Sequence, residues 1–209
     1  MRAMKDSGVE WIGKIPQDWK VVRTKYVVSL YTGNSIKDEE KKFFEDDKDA
    51  IPYISTKDIN INFNTVDYSN GLYVKNNDCN FVRAHKNDTL MCIEGGSAGK
   101  KKALLNQTVC FVNKLCCFHA IDINSSYLCW ILNSPHYEEE FRVNLSGLIG
   151  GVTKKVLLNF RIPLPSKDEQ RYIADYLDFK CSKINSIIEK QQAIIEKLKE
   201  YKLSVITEA

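Results

Sequence analysis

The sequence lacks any long apolar run. A helix that spans a membrane needs about 18 or more consecutive apolar residues, and no window of the chain approaches that length. The opening stretch, MRAMKDSGVEWIG, contains neither an apolar segment nor a small-residue cleavage site, so no secretory signal is predicted. These absences predict a cytoplasmic protein that does not bind a membrane.

Paired cysteine spacings are missing as well. The chain has 7 cysteines, an odd number, and none of them belongs to a C-x-x-C pair. A zinc site needs spacings that bring four ligands around one ion, which the adjacent Cys116 and Cys117 and the scattered histidines do not provide. We therefore predict no metal site, and thiols that are reduced and mostly buried.

The excess of positive charge lies in the N-terminal part of the chain. The net charge is +3, from 30 Lys and Arg against 27 Asp and Glu. Residues 166–209 hold eight of each sign, which leaves 22 basic and 19 acidic side chains in residues 1–165. A basic face on this part of the molecule would suit an acidic partner.

Residues 1–165 are predicted to form one α+β domain of mixed strands, helices and loops. A stretch that begins at Ser125, SSYLCWILNSPHYEEEFRVNL, has helical spacing of its apolar residues, although Pro135 must kink or end its first part. Five other runs are rich in Val, Ile, Tyr, Phe or Thr and are bounded by turn residues, as strands are. These runs are WKVVRTKYVVSLYTGN, AIPYISTKDINI, TLMCIE, TVCFVN and LCCFHAIDI.

Residues 166–209 are predicted to form one long helix. Pro163 and Pro165 prevent a helix from running through this point, and Ser166 with Glu169 has the pattern of a capping box. No Gly or Pro follows, so the helix would have roughly 40 residues and a length of about 60 Å.

The apolar residues of this helix follow a heptad pattern, which predicts a coiled coil. Packing against the N-terminal domain is the alternative, but the helix is too long for that domain to cover. Gln191 at a d position and Lys202 at an a position would set the register. The predicted dimerisation residues are Leu177, Cys181, Ile184, Ile188, Gln191, Ile195, Leu198 and Val205.

One loop, IEGGSAGKKK at residues 93–102, combines glycines with three consecutive lysines. A P-loop has four residues between its glycines and a hydroxyl residue after its lysine. Here Gly95 and Gly99 enclose three residues, and Lys101 stands at the hydroxyl position, which argues against nucleotide binding. Two interpretations remain for this loop: it contacts a nucleic-acid phosphate, or it is a solvated turn whose lysines only aid solubility.

Three further segments combine turns with hydroxyl, amide or lysine side chains, which contact bases and phosphates in nucleic-acid complexes. They are YTGNS, YISTKDIN and GLIGGVTKK, and together with the first loop they predict a recognition surface. No set of catalytic side chains follows from the spacing. The candidate DNA-binding residues are Thr32, Gly33, Asn34, Ser55, Thr56, Lys57, Gly96, Ser97, Lys100, Lys101, Lys102, Thr153, Lys154 and Lys155.

The order of these segments resembles that of type I restriction–modification specificity subunits. The most specific parts are the start, WIGKIPQDW, and the passage IPLPSKDEQRYIADYLD into the long helix, but the likeness extends along the whole chain. It implies a bacterial or archaeal DNA-recognition protein without catalytic activity, in which residues 1–165 are a target recognition domain and the helix is a spacer. It also implies that S-adenosylmethionine, ATP and Mg²⁺ bind to partner methyltransferase and restriction subunits, with no cofactor in this chain.

The family pattern has two recognition domains and two spacer helices, whereas this chain has one of each. A chain with one recognition domain and one helix is consistent with a natural half-subunit, with a truncated product and with a fragment of a two-domain chain. Two copies paired through antiparallel helices would form a homodimer that recognises two half-sites of double-stranded DNA as an interrupted palindrome. The alternatives are a coiled-coil adaptor for protein partners, without DNA affinity, and a small enzyme.

Overall fold

The computed structural model describes residues 2–36, 50–147 and 150–208. It divides into two compact units, Met1–Arg171 and Tyr172–Ala209. The predicted domains 1–165 and 166–209 include residues 1, 37–49, 148–149 and 209, which lie outside the described residues. Within the described part, no helix is long and apolar enough to cross a membrane.

The first unit contains two four-stranded sheets. The strands of the first sheet are β4 (Val28–Thr32), β10 (Thr89–Cys92), β11 (Lys102–Leu104) and β13 (Leu115–Ala120). This sheet is antiparallel, in the order β11, β10, β13, β4.

The strands of the second sheet are β5 (Ile51–Ile54), β8 (Tyr73–Val74), β9 (Arg83–Ala84) and β12 (Val109–Phe111). This sheet is mixed, in the order β8, β5, β12, β9, with β5 and β12 parallel. The five predicted strand runs are thus confirmed, since each of them contains a strand of the structure.

The main apolar core contains residues from both four-stranded sheets. Side chains alternate between the two faces of a strand, and β12 shows this clearly. Phe111 belongs to the main core with Leu90 and Leu115, whereas Cys110 belongs to a second cluster with Tyr53. This alternation explains why the strands read as nearly continuous apolar runs: both faces are covered.

The described part of the first unit also contains three short strand pairs. A hairpin joins β1 (Met4–Asp6) to β2 (Lys14–Pro16), and another joins β6 (Ile59–Asn60) to β7 (Thr65–Val66). The pair of β3 (Lys20–Arg23) with β14 (Arg161–Leu164) is antiparallel and places Pro163 opposite Val21. Pro163 lies in β14 and Pro165 directly follows that strand, so the long helix begins only after both prolines, as the sequence predicts.

Helices α1 (Ser125–Leu132) and α2 (Pro135–Val143) confirm the predicted helical stretch and its break. The side chain of Asn124 caps α1, and Ser134 caps α2 directly before Pro135. Helix α1 packs on strands of the first sheet. A short helix, α3 (Lys154–Leu157), precedes β14.

The long helix α4 (Lys167–Glu208) has 42 residues, close to the predicted length. Its first turn belongs to the first unit. The Ser166 hydroxyl accepts from the Glu169 amide, as the capping box predicts, but the Glu169 carboxylate binds the Ser166 hydroxyl and Arg2 instead of the Ser166 amide. Gln170 is buried and accepts from the Asn124 amide at 2.8 Å.

The second unit consists of the rest of α4. Its apolar side chains are largely exposed, and Ile184, Ile195 and Leu198 have 53%, 50% and 60% of their surface accessible. Burying such surface against another helix is the main source of stability in a coiled coil. The long helix is thus confirmed, while the coiled coil stays a prediction.

Four of the seven cysteines are buried, and none of the seven, all of which lie among the described residues, forms a disulfide. The buried ones are Cys92, Cys110, Cys116 and Cys117. Burial raises the pKa of Cys110 to about 11 and that of Cys116 to about 12, because a thiolate is poorly solvated there. These thiols pack as small apolar groups, as predicted.

Candidate nucleic-acid interface

Hydrogen bonds connect the four predicted recognition segments to one another. The Tyr53 hydroxyl donates to the Asn34 carbonyl at 2.6 Å, which joins the first segment to the second. The Lys101 ammonium donates to the Thr56 carbonyl at 2.7 Å, which joins the second to residues 95–102, hereafter the glycine–lysine loop. The Gly95 amide donates to the Gly150 carbonyl at 2.8 Å, which joins that loop to the last segment.

In the first segment, Gly33 and Asn34 hold the two sheets together. The Asn34 amide donates to the Phe111 carbonyl at 2.9 Å, and its side-chain oxygen accepts from Val82. A Cβ atom on Gly33 would lie 1.7 Å from the same Phe111 oxygen, so only glycine fits. Thr32, at the end of β4, is half-buried. The geometry shows a structural role for Gly33 and Asn34, whereas DNA contact by this segment stays a prediction.

The second segment forms a short 3-10 turn after β5. The Asp58 carboxylate accepts from both the amide and the hydroxyl of Ser55, at 2.8 and 2.7 Å, and so fixes the turn. Thr56 is half-buried and Lys57 is exposed. The Ser55 hydroxyl is thus occupied by its hydrogen bond to Asp58, whereas the Lys57 ammonium is available to a ligand.

The glycine–lysine loop packs against α2. Gly99 has a φ of +73°, and a Cβ atom there would lie 2.5 Å from the Phe141 ring. Its amide donates to the Cys92 carbonyl at 2.8 Å. Gly96 is exposed and has no atom within 4 Å of its Cβ position, and Ser97 is half-buried. The tip of the loop is therefore open to solvent, while its base is fixed.

The three consecutive lysines have three different environments. Lys100 is exposed, and its ammonium has no partner among the described residues. Lys101 is half-buried and binds the Thr56 carbonyl. Lys102 is fully buried and donates to the Leu132 carbonyl and to Glu138 Oε1, each at 2.8 Å. The prediction that Lys102 contacts DNA is wrong for this geometry, because no surface of its ammonium is accessible.

Burial lowers the pKa of Lys102, while the hydrogen bond and charge of Glu138 oppose that change. A buried ammonium without its carboxylate would be strongly destabilising. Through these two hydrogen bonds Lys102 attaches the end of α1, at Leu132, and the start of α2, at Glu138, to β11.

The last segment places three predicted residues on the surface. Thr153, Lys154 and Lys155 are all exposed, at and after the start of α3. The Val152 amide donates to the Ile93 carbonyl at 3.0 Å, which fixes this segment beside the glycine–lysine loop. Two lysine-bearing loops therefore lie next to each other, an arrangement that the spacing in sequence does not reveal.

A surface cleft beside the glycine–lysine loop contains residues that sequence reasoning missed. Its volume is about 340 Å³. It is lined by Ile61, Asn64, Lys100, Trp130, Asn133 and Glu138. Except for Lys100, none of these was predicted as a site residue, because they come from separate segments that only the fold brings together.

A Cys–His–Asp group on the first sheet contains the residue types of a nucleophilic catalytic site, but its thiol is not activated. His119 Nδ1 lies 2.8 Å from the Asp88 carboxylate, and Cys117 lies two positions before His119 on β13. Burial raises the pKa of the Cys117 thiol far above neutrality. Since a thiolate is the reactive form, this thiol is not an activated nucleophile.

The WIGKIPQDW start contacts a buried carboxylate. Glu140 of α2 lines a cavity with Trp11 and Arg161. Burial raises its pKa to about 7, and interactions with Trp11 and Arg161 only partly offset this. The Trp11 indole nitrogen itself does not reach hydrogen-bonding geometry with any described residue. The first tryptophan of the start thus packs beside α2 and β14.

The family model of the type I restriction modification DNA specificity domain matches residues 16–200. The chain belongs to this family. The match spans both the N-terminal unit and most of α4, so it covers the recognition segments and the long helix together. It confirms the resemblance noted from the sequence, and with it the prediction of a specificity component in place of an enzyme.

Two curated specificity subunits are similar to this specificity domain. The specificity subunit of the type I restriction enzyme MjaVIII from Methanocaldococcus jannaschii is 27% identical over 201 residues, with 89% of this chain and 41% of the relative covered. That of EcoBI from Escherichia coli is 24% identical over 216 residues, with 98% and 41% covered. The chain thus spans about two fifths of the length of these relatives.

Solved structures share the fold. A chain from a structure on complex assembly and conformational transition of the type I R-M system has a TM-score of 0.71 at 21% identity, covering 94% of this chain and 46% of that one. The HsdS subunit from Thermoanaerobacter tengcongensis has a TM-score of 0.62 at 20% identity, covering 90% and 42%. These likenesses confirm the α+β fold with its long C-terminal helix.

Proposed function

We propose that this specificity domain is a non-catalytic, sequence-specific reader of double-stranded DNA within a type I restriction–modification complex. The observation that carries the proposal is the joining of the four recognition segments. They bring together loops with four exposed lysines whose ammonium groups have no partner among the described residues: Lys57, Lys100, Lys154 and Lys155. Unpaired cations on adjacent loops suit contacts to DNA phosphates.

Two copies of the chain would associate through α4. The exposed apolar stripe of the second unit is the surface that a second, identical helix would cover. A twofold axis would then relate two identical recognition domains, and each would read one half of an interrupted palindrome. Methyltransferase and restriction subunits would bind S-adenosylmethionine, ATP and Mg²⁺ and perform the chemistry.

Removing the free lysines is expected to weaken DNA binding at all sequences alike. The variant carries Lys100→Ala, Lys154→Ala and Lys155→Ala, measured with methyltransferase subunits present. Each lost phosphate contact flattens the slope of log K against log salt concentration by about 0.9, so three contacts change it by about 2.7. Fluorescence anisotropy with a labelled duplex over a range of salt concentrations gives this slope.

A matched control removes the same charge elsewhere. Lys5, Lys75 and Lys86 are exposed and lie outside the four segments, so their triple alanine variant should keep the wild-type slope. Equal slopes for both variants would remove the lysine-bearing loops from the interface. No DNA binding by the wild-type complex would favour the protein-interaction adaptor instead.

A further inference from the structure

We propose that the cleft beside the glycine–lysine loop reads one base pair of the DNA target, with Glu138 as its specificity-determining residue and Lys102 as the positioning residue behind it. This inference rests on the proposed function and goes beyond it by assigning base readout to residues outside the predicted recognition segments. The cleft is lined by Ile61, Asn64, Lys100, Trp130, Asn133 and Glu138.

The buried lysine fixes the carboxylate of Glu138. Oε1 accepts from the Lys102 ammonium at 2.8 Å, and the lysine is fully buried while the Glu138 side chain is 52% exposed. The second oxygen, Oε2, has no partner among the described residues. An ionised carboxylate only accepts hydrogen bonds, so it selects the exocyclic amine of cytosine or adenine over the carbonyl oxygens of guanine and thymine.

Two amide side chains stand beside this acceptor. Asn64 lies in the turn between β6 and β7 with a φ of 51°, and its side chain has no hydrogen bond to the described residues. Asn133 donates through Nδ2 to the Cys129 carbonyl at 2.9 Å, which leaves its oxygen as an acceptor. Amides of this kind pair with base edges, above all with adenine.

The cleft offers one group for each part of a nucleotide. Lys100, in the lining, attracts a phosphate, whereas Glu138 presents a free carboxylate oxygen to a hydrogen-bond donor of a base. Exposed Ile61 adds apolar surface, which suits the methyl group of thymine. A nucleotide would satisfy both charges at once, with its phosphate at Lys100 and its donor-bearing base edge at Glu138.

The test is a methylation map of the reconstituted complex with wild-type chain or Glu138→Gln. Because glutamine replaces the fixed acceptor by a group that also donates, preference at one position of the target should fall roughly 10-fold or change to another base. The other positions should keep their preference. Glu139→Gln is the matched control, because that neighbour is also an exposed carboxylate of α2 but pairs with Arg142 and does not line the cleft.

Asn64→Gly provides a second, independent variant. Glycine tolerates the left-handed backbone there, so the change removes the amide without strain. It should also alter the base preference at one position of the target. If circular dichroism shows that Glu138→Gln does not fold, this variant alone tests whether the cleft reads a base pair. Maps identical to wild type for the folded variants would overturn the inference, as would a uniform loss of methylation with unchanged preference. Absence of any methylated site with the wild-type complex contradicts the proposed function itself, which separates the two failures.

Discussion

Replacing Ile188 and Ile195 by glutamate converts the expected dimer of the specificity domain into monomers. Both residues occupy a positions of the heptad and are 40% and 50% exposed in the single chain. In the paired state each would be buried, and burial of an isoleucine side chain contributes about 1.5–3 kcal/mol. Two charges in each helix also bring desolvation cost and repulsion across the seam, so the dimer should weaken by at least about 100-fold.

Sedimentation velocity at micromolar concentration measures this change directly. The control is Ser186→Glu with Ala193→Glu, which introduces the same charges at exposed f positions of the heptad. This control should sediment as the wild type does. A wild-type chain that is monomeric, or a control that dissociates equally, would contradict the assignment of the apolar stripe as the dimer seam.

Gly33→Ala is expected to be the most destabilising small change in the first unit. A methyl group there would lie 1.7 Å from the Phe111 carbonyl oxygen and 2.9 Å from its ring. The backbone of β12 cannot give way without breaking its hydrogen bond to Asn34. We expect the free energy of unfolding to fall by about 3 kcal/mol or more, because overpacking against a fixed backbone has few ways to relax.

Urea unfolding of Gly33→Ala and Gly96→Ala tests this account. Gly96 has nothing within 4 Å of its Cβ position and no positive φ, so its alanine variant should differ from wild type by less than about 0.5 kcal/mol. A Gly33→Ala protein that is as stable as wild type but loses DNA binding would restore this glycine as a DNA contact and refute its structural role.

The strands and the long helix follow from the sequence because their signals are local. The run TLMCIE contains β10, and the absence of Gly and Pro after Ser166 predicts a helix of nearly the observed length. The shortest strands outside the predicted runs, such as β7 and β9, escape prediction since two residues carry no periodicity. Their partners, which lie elsewhere in the chain, decide whether they form.

The candidate site is only partly predictable, because its residues are also brought together by contacts between distant parts of the chain. Composition cannot distinguish Lys100 from Lys102, but strand geometry does, because Lys102 begins β11 and lies beneath the end of α1. Glu138 looks like any surface carboxylate until the fold places Lys102 behind it. The cleft combines residues more than 60 positions apart, such as Asn64 and Trp130, so no motif in the sequence marks it.

We propose that this specificity domain selects the DNA sequence at which a type I complex acts. The most direct measurement reconstitutes the full chain with methyltransferase subunits and maps methylated sites across a genome. We expect one recurring interrupted palindrome, because two identical recognition domains related by a twofold axis read identical half-sites. An asymmetric bipartite site would contradict the homodimer and require a second, different recognition domain. Methylation without any shared sequence would contradict sequence recognition by this chain.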